Sequence, residues 1–227
     1  MLIDPSTSPG KPQTERMLLI HGALRREFAL LPRIVRSVEA SDVRRARAVV
    51  RHIHLLLALL DGHDEDVTLW PILHQRAWMN AGPLDALERR QRKIVNCIAW
   101  IEKSAECWQV DGDVPVRNGL AVDLQDTLAL LTEHLDLKER DVLPLIYEHL
   151  SVAEWRTLQR DNRDRFPTGF RDRMILAGLA LEDASDSEAT RFVSDLPPLD
   201  RPLWRLIGSR MYVRYIAEIR GLVLSRG

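Results

Sequence analysis

One charged residue interrupts a helical stripe of apolar side chains, and this stripe constrains the fold of the chain more than any other feature. In TLALLTEHLDLKERDVLPLI, apolar residues recur every three or four positions, at Leu128, Leu131, Leu135, Val142 and Leu145. This spacing is typical of a helix that faces the core of a bundle. The position due between Leu135 and Val142 is Lys138. Lys138 either extends its ammonium to solvent or has buried partners, since an unpaired buried charge is costly.

Two further polar residues, His134 and Glu139, lie beside Lys138. An earlier segment of the sequence resembles this one and suggests their partners. The segment DGHDEDVTLWP, from Asp61 onwards, also ends in an apolar residue followed by proline. Aligning the two prolines sets Asp61 against His134 and Glu65 against Lys138, so each helix offers two polar side chains on one face. The sequence therefore predicts a polar core pocket of Asp61, Glu65, His134 and Lys138, whose members bind a ligand or act as acid and base.

The remaining periodicity predicts an all-α protein with a four-helix bundle in residues 13–150, after a flexible N-terminus in residues 1–12. The predicted bundle helices cover residues 12–39, 42–78 (bent at Pro71), about 83–110 and 118–150, with a break at residues 111–115. Because the connections are short, the helices should run up, down, up and down.

Residues 151–227 are predicted to form additional helices that pack on the bundle. A capping box, Ser151 to Glu154, opens the first, and shorter helices follow near residues 171–183 and 187–194. A last helix is expected from about residue 201 to 222. It carries interleaved arginines and aromatic residues, which we interpret as an exposed helix face: Arg201, Trp204, Arg205, Arg210, Tyr212, Arg214, Tyr215 and Arg220.

Charge and hydropathy argue against two classes of partner. The formal net charge of −1 gives no attraction to nucleic acid or to an anionic membrane surface. No apolar run reaches the roughly 20 residues that span a bilayer, and no signal peptide is visible. Cys97 and Cys107 are ten residues apart in one predicted helix, too far to pair, so we expect reduced thiols and a cytoplasmic protein.

Three sequence features together resemble the hemerythrin-like, HHE cation-binding family. They are His21, the segment from Glu65 to Pro71, and the segment from His134 to Pro144. The ending EHLSVAEW, residues 148–155, is similar to bacterial members with an extra C-terminal helical region. The resemblance implies a four-helix bundle around a non-haem di-iron centre, held by histidines from all four helices and by carboxylates. Such sites serve oxygen binding, oxygen or redox sensing, peroxide or nitric oxide chemistry, or iron handling.

By the same resemblance, only part of the iron site is present. His21, Glu65, and His134 with Glu139 match family positions, whereas Asp61 replaces a histidine of the second bundle helix. Arg92 stands where a histidine of the third bundle helix is expected, and Lys138 stands where the family has a carboxylate. His54 is the one candidate for a replacement ligand. The other histidines are predicted to lie at the surface: His52, His63, His74 and His149.

Three hypotheses about function follow. We favour a metal-free polar pocket that binds or transforms a small molecule, because an ammonium near a cation site repels the cation. The alternative is a mono- or di-iron protein for oxygen, peroxide or nitric oxide. Its ligands would come from His21, His54, Glu65, His134 and Glu139. The third hypothesis is a structural or interaction module, in which the ion pairs only set helix register.

Overall fold

The computed structural model describes residues 10–62, 66–161 and 169–221, and every regular element within those ranges is helical. The first five helices are α1 (Glu15–Arg36), α2 (Val43–Gly62), the shorter α3 (Asp66–Arg76), α4 (Ala81–Asp111) and α5 (Val114–Leu137). The four long helices form a closed ring, in which α1 packs on α2, α2 on α4, α4 on α5 and α5 on α1. The predicted all-α class and helical bundle are confirmed.

The core of the bundle consists mainly of aliphatic side chains from all four long helices. Its fully buried members include Leu24, Phe28, Leu31, Val49, Ile53, Leu56, Ile94, Ile101, Trp108, Leu120, Leu124 and Leu131. Burying one large apolar side chain contributes roughly 1.5–3 kcal/mol, so this shared interior dominates the stability of the bundle.

The turn between α4 and α5 lies where the sequence predicted a break. Gly112 has φ +71°, and a Cβ there would lie 3.2 Å from the backbone of Ser41, so glycine suits both the conformation and the space. The side chain of Asp113 accepts a hydrogen bond from the Val116 amide at 3.1 Å and caps α5. The helix therefore begins at Val114, earlier than predicted.

The fourth predicted helix is not continuous to residue 150. Instead, α5 is followed by a π-helical turn, Lys138–Val142, and by α6 (Leu143–His149). Pro144 explains the change, because proline has no N–H for the carbonyl four residues earlier and its ring crowds that carbonyl. In the wider turn, the Leu143 amide donates to the carbonyl of Lys138, five residues earlier.

The C-terminal part adds the predicted helices to the bundle. They are α7 (Val152–Asp161), α8 (Phe170–Leu181), α9 (Asp186–Asp195), α10 (Asp200–Leu203) and α11 (Ser209–Arg220), with a π-helical turn, Trp204–Gly208, before α11. Helix α8 packs on α1 and α2, and α11 packs on α8 and α2. The described helices are all too short or too polar to cross a membrane.

Gly178 in α8 allows α11 to approach closely, and filling this position is expected to destabilise the protein. A Cβ at Gly178 would lie 2.2 Å from Cγ and 2.7 Å from Cβ of Tyr212, so rotating the ring cannot relieve the overlap. We expect Gly178→Ala to lower the free energy of unfolding by about 1–3 kcal/mol, as measured by urea denaturation.

Gly119→Ala in α5 is the matched control, since a Cβ there meets no atom within 4 Å. Alanine is the better helix former, so this variant should be at least as stable as the wild type. If Gly178→Ala is as stable as the wild type, the close contact between α8 and α11 is contradicted.

Candidate functional site in the bundle core

The end of α5 and the π-helical turn bring two basic side chains into the interior. His134 is 3% exposed and Lys138 is 2% exposed, although lysine is almost never fully buried unless it is paired. The alternative in which Lys138 extends to solvent is therefore wrong. The stripe of apolar residues placed Lys138 on the core face, and the structure keeps it there.

Glu139 follows Lys138 in the same turn and reaches across to α1. Its Oε1 atom lies 2.7 Å from Nδ1 of the fully buried His21. The same oxygen accepts a hydrogen bond of 2.7 Å from the guanidinium of Arg25, which also donates to Asp136 at 2.6 Å. His21 and Glu139 are thus brought together, and Arg25 fixes the carboxylate from the side nearer to solvent.

These contacts set the charges of the pair. Burial lowers the pKa of His21, and the positive charges of Lys138 and Arg25 lower it further, against the opposing effect of Glu139. Burial alone would raise the pKa of Glu139, but the hydrogen bonds from His21 and Arg25 outweigh it and hold this pKa below its usual value. At neutral pH the pair is a neutral imidazole beside a carboxylate. If Nδ1 carries the proton given to Glu139, Nε2 carries the lone pair.

Of the two carboxylates in the predicted pocket, the one that the structure describes does not lie on the core face. Asp61 is exposed, whereas the pattern placed it on the buried seam of α2. Asp61 lies in the last described turn of α2. Glu65 lies outside the described residues, as does His63. His134 and Lys138 are therefore the described members of the pocket.

His54 and Arg92 lie away from His21 and Glu139. His54 is half-buried in a cleft between α2, α8 and α11, together with Tyr215. Arg92 is exposed on α4, with its guanidinium 3.9 Å from Glu88. Neither residue is placed with the His21–Glu139 pair, because His54 faces the C-terminal helices and Arg92 faces solvent.

A second buried polar cluster, which the sequence did not reveal, joins α1 and α2 to the C-terminal helices. Glu27 is fully buried, and its carboxylate lies 2.9 Å from Arg26, 3.3 Å from His52 and 2.6 Å from Arg220. Burial alone would raise the pKa of Glu27, but the hydrogen bond with His52 and the charges of His52, Arg220 and Arg26 lower it to about 2.

This Glu27 cluster corrects two predictions. His52 is fully buried rather than at the surface, and its Nδ1 lies 2.8 Å from the hydroxyl of Tyr215. Arg220 binds Glu27 and Glu182, so the end of the last helix is not simply a solvated face. The available signal was Glu27 itself, which lies one turn from both Leu24 and Leu31 on the apolar stripe of α1.

A third cluster lies at the surface, between the end of α3 and the start of α4. His74 Nε2 lies 2.7 Å from Glu88 and 3.8 Å from Asp85. In the described part of the chain, this is the single group of three histidine, cysteine, aspartate or glutamate side chains whose possible metal-ligand atoms all lie within 4.8 Å of one another. His74 lies in the last turn of α3, where a basic group suits the helix dipole, and its contacts with the two carboxylates account for the cluster without a cation.

The described core residues do not fit a di-iron centre. Two iron ions need several neutral imidazoles and anionic oxygens around a shared volume. Here Lys138 carries a cation into that volume, Arg92 and Asp61 face solvent, and Arg25 already neutralises Glu139. What remains among these residues is two imidazoles, one engaged carboxylate and one ammonium.

Comparison with known proteins identifies the bundle. The family model described as "Hemerythrin HHE cation binding domain" matches residues 13–146, which is more than half of the chain. Neither the curated proteins nor the solved structures provide a match. The matched range covers α1 to α5 and the π-helical turn, so it contains every described core residue discussed above except the partners from the C-terminal helices.

Proposed function

The chain belongs to the hemerythrin HHE cation-binding family, and from this premise we propose that its core pocket binds or transforms a small molecule without the usual di-iron centre. The described members of this pocket are His21, His134, Lys138 and Glu139. The sequence predicts Glu65 as a further member, whereas Asp61 is exposed and is left out. Protein charges replace the charge that a metal brings in relatives with a complete ligand set.

Burial of Lys138 is the observation that carries this proposal. Its side chain is 2% exposed, and its positive charge is near enough to His21 to lower the pKa of that imidazole. An ammonium in this position repels a cation and attracts an anionic oxygen, and in a poorly hydrated interior both effects are stronger than in water. The site therefore favours an anionic or strongly polar small molecule over a metal ion.

The remaining groups support proton transfer at such a pocket. Glu139, held by Arg25, accepts the Nδ1–H of His21 and so fixes the orientation and tautomer of the ring. The Nε2 lone pair of a neutral His21 then accepts a proton, and the ammonium of Lys138 donates hydrogen bonds to developing negative charge. Binding alone requires Lys138, whereas catalysis requires both His21 and Lys138.

A second candidate is a mononuclear non-haem iron site. The family membership favours it, and His21, His134 and Glu139 offer two imidazoles and a carboxylate, which is a ligand type that suits Fe(II). In this case Arg25 must release Glu139, and Lys138 must turn away from the metal. The two candidates make opposite predictions for metal content.

Metal analysis of the wild-type protein decides between them. We expect substoichiometric iron in protein purified without chelator or histidine tag, and a midpoint of thermal unfolding that neither Fe(II) nor chelator changes. A ligand that binds only the folded state would raise the free energy of unfolding by about 2.7 kcal/mol when its free concentration is about a hundred times its Kd, and would raise this midpoint accordingly.

The His74→Ala variant is the control for this measurement, because the surface cluster of His74, Asp85 and Glu88 offers an unrelated place for adventitious metal. Stoichiometric iron that persists in His74→Ala and disappears in a His21→Ala/His134→Ala double variant would overturn the proposal in favour of the iron site.

A further inference from the structure

A cleft of about 270 Å³ lies between α2 of the bundle and helices α8 and α11, outside the core pocket. Its apolar surface comes from Leu55, Ile175 and Ile219, and its space is left by the small side chains of Ala48 and Ala58. Ligand pockets of roughly 300–1,000 Å³ accommodate drug-sized molecules, so this cleft suits a smaller ligand with a short aliphatic part.

Charges of both signs line the same cleft without forming ion pairs among the described residues. Arg51 and Arg171 supply two cations, and Asp172 and Glu218 supply two carboxylates. Within the part of the chain that the structure describes, none of these four side chains takes part in an ion pair, and Arg171 instead lies over the ring of Tyr215, 6.0 Å from its centroid. The adjacent Glu27 cluster is different, because its carboxylate has three basic partners.

We propose that this cleft is a binding site for a small zwitterion with an aliphatic side chain, of the free amino acid class. The arginines complement a carboxylate, Asp172 and Glu218 complement an ammonium, and the apolar surface covers the side chain. His54, half-buried in the cleft, adds a further polar contact.

The cleft is connected to the docking of the C-terminal helices. Tyr215 lines it, and the hydroxyl of Tyr215 lies 2.8 Å from His52, which in turn lies 3.3 Å from Glu27. A ligand that contacts both α2 and α11 therefore stabilises their contact, because it binds only when the two helices are docked.

Calorimetric titration of the full chain with L-leucine at neutral pH tests the proposal. We expect binding of L-leucine, and at least about tenfold weaker binding of N-acetyl-L-leucine, which lacks the ammonium, and of L-leucinamide, which lacks the carboxylate. Absence of binding at about 10 mM L-leucine, or equal affinity for the three compounds, would overturn it.

Matched variants locate the site. Arg51→Met and Asp172→Asn should each weaken L-leucine binding by about tenfold or more, whereas Arg47→Met, one turn away on α2, should not. The Arg47 guanidinium donates a hydrogen bond to the carbonyl of Gln109, and Arg47 is not among the residues that line the cleft. Lys138→Met should also leave L-leucine affinity unchanged, so this test is independent of the core pocket. An unchanged affinity in Arg51→Met and Asp172→Asn would place the ligand elsewhere and refute the assignment.

Discussion

A Lys138→Glu variant is expected to bind iron in the core more tightly than the wild-type chain does. The substitution removes a buried ammonium and supplies a carboxylate at the position where the family resemblance implies one. Two unit charges about 4 Å apart interact by roughly 4 kcal/mol at an effective dielectric constant of about 20. Exchanging repulsion for attraction is therefore expected to raise iron affinity by more than about a hundredfold.

Anaerobic titration with Fe(II), followed by elemental analysis and absorption spectroscopy in air, measures this gain. Lys138→Met is the matched control, because it removes the positive charge without adding a ligand atom and should gain much less. The proposal fails if the wild type binds iron as tightly as Lys138→Glu, since the ammonium would then not oppose a cation.

The second large effect is expected at Glu27, whose carboxylate has three basic partners in the interior. Glu27→Gln leaves Arg26, Arg220 and His52 without their common anion, and breaking a buried ion pair from one side typically costs about 3–5 kcal/mol. Urea denaturation should show a loss of this order. Asp183→Asn is the control, because Asp183 also pairs with Arg26 but is 69% exposed, and should cost less than about 1 kcal/mol.

Glu27 also predicts a pH dependence of stability. Its pKa is lowered from 4.5 to about 2 by folding. A lowered carboxylate pKa stabilises the folded state above the unfolded value, and this contribution is lost as the pH falls from about 4.5 towards 2. In the Glu27→Gln variant, the free energy of unfolding should lack this loss at acid pH. If wild type and variant lose stability in parallel between these pH values, Glu27 does not make the contribution.

The fold was largely predictable because helical periodicity depends only on neighbours within two turns. The stripe through Leu128, Leu131 and Leu135 identified the core face of the last bundle helix and placed Lys138 on it. The π-helical turn was not predicted, although its cause, Pro144, is visible in the sequence. A proline in a helical pattern predicts a disturbance, but not whether the helix ends, bends or widens.

The polar sites were less predictable, because their partners come from distant segments. His21 and Glu139 meet although 118 residues separate them, and only the family resemblance had linked them. His52 was misassigned because a single buried face was assumed for α2, whereas α8 and α11 cover a second face. Asp61 was misassigned because the seam that holds for the rest of α2 does not hold in its last described turn, where Asp61 is exposed.

The contact between Glu27 and Arg220 has a consequence for how the protein is made. The two residues are 193 positions apart, so a growing polypeptide emerging from the ribosome presents the carboxylate long before the guanidinium exists. Until α11 has been synthesised, the acid keeps its counter-charges only from Arg26 and His52. Glu27, which lies in the segment that matches the family, therefore gains its partner Arg220 only late in translation, when α11 packs on the bundle.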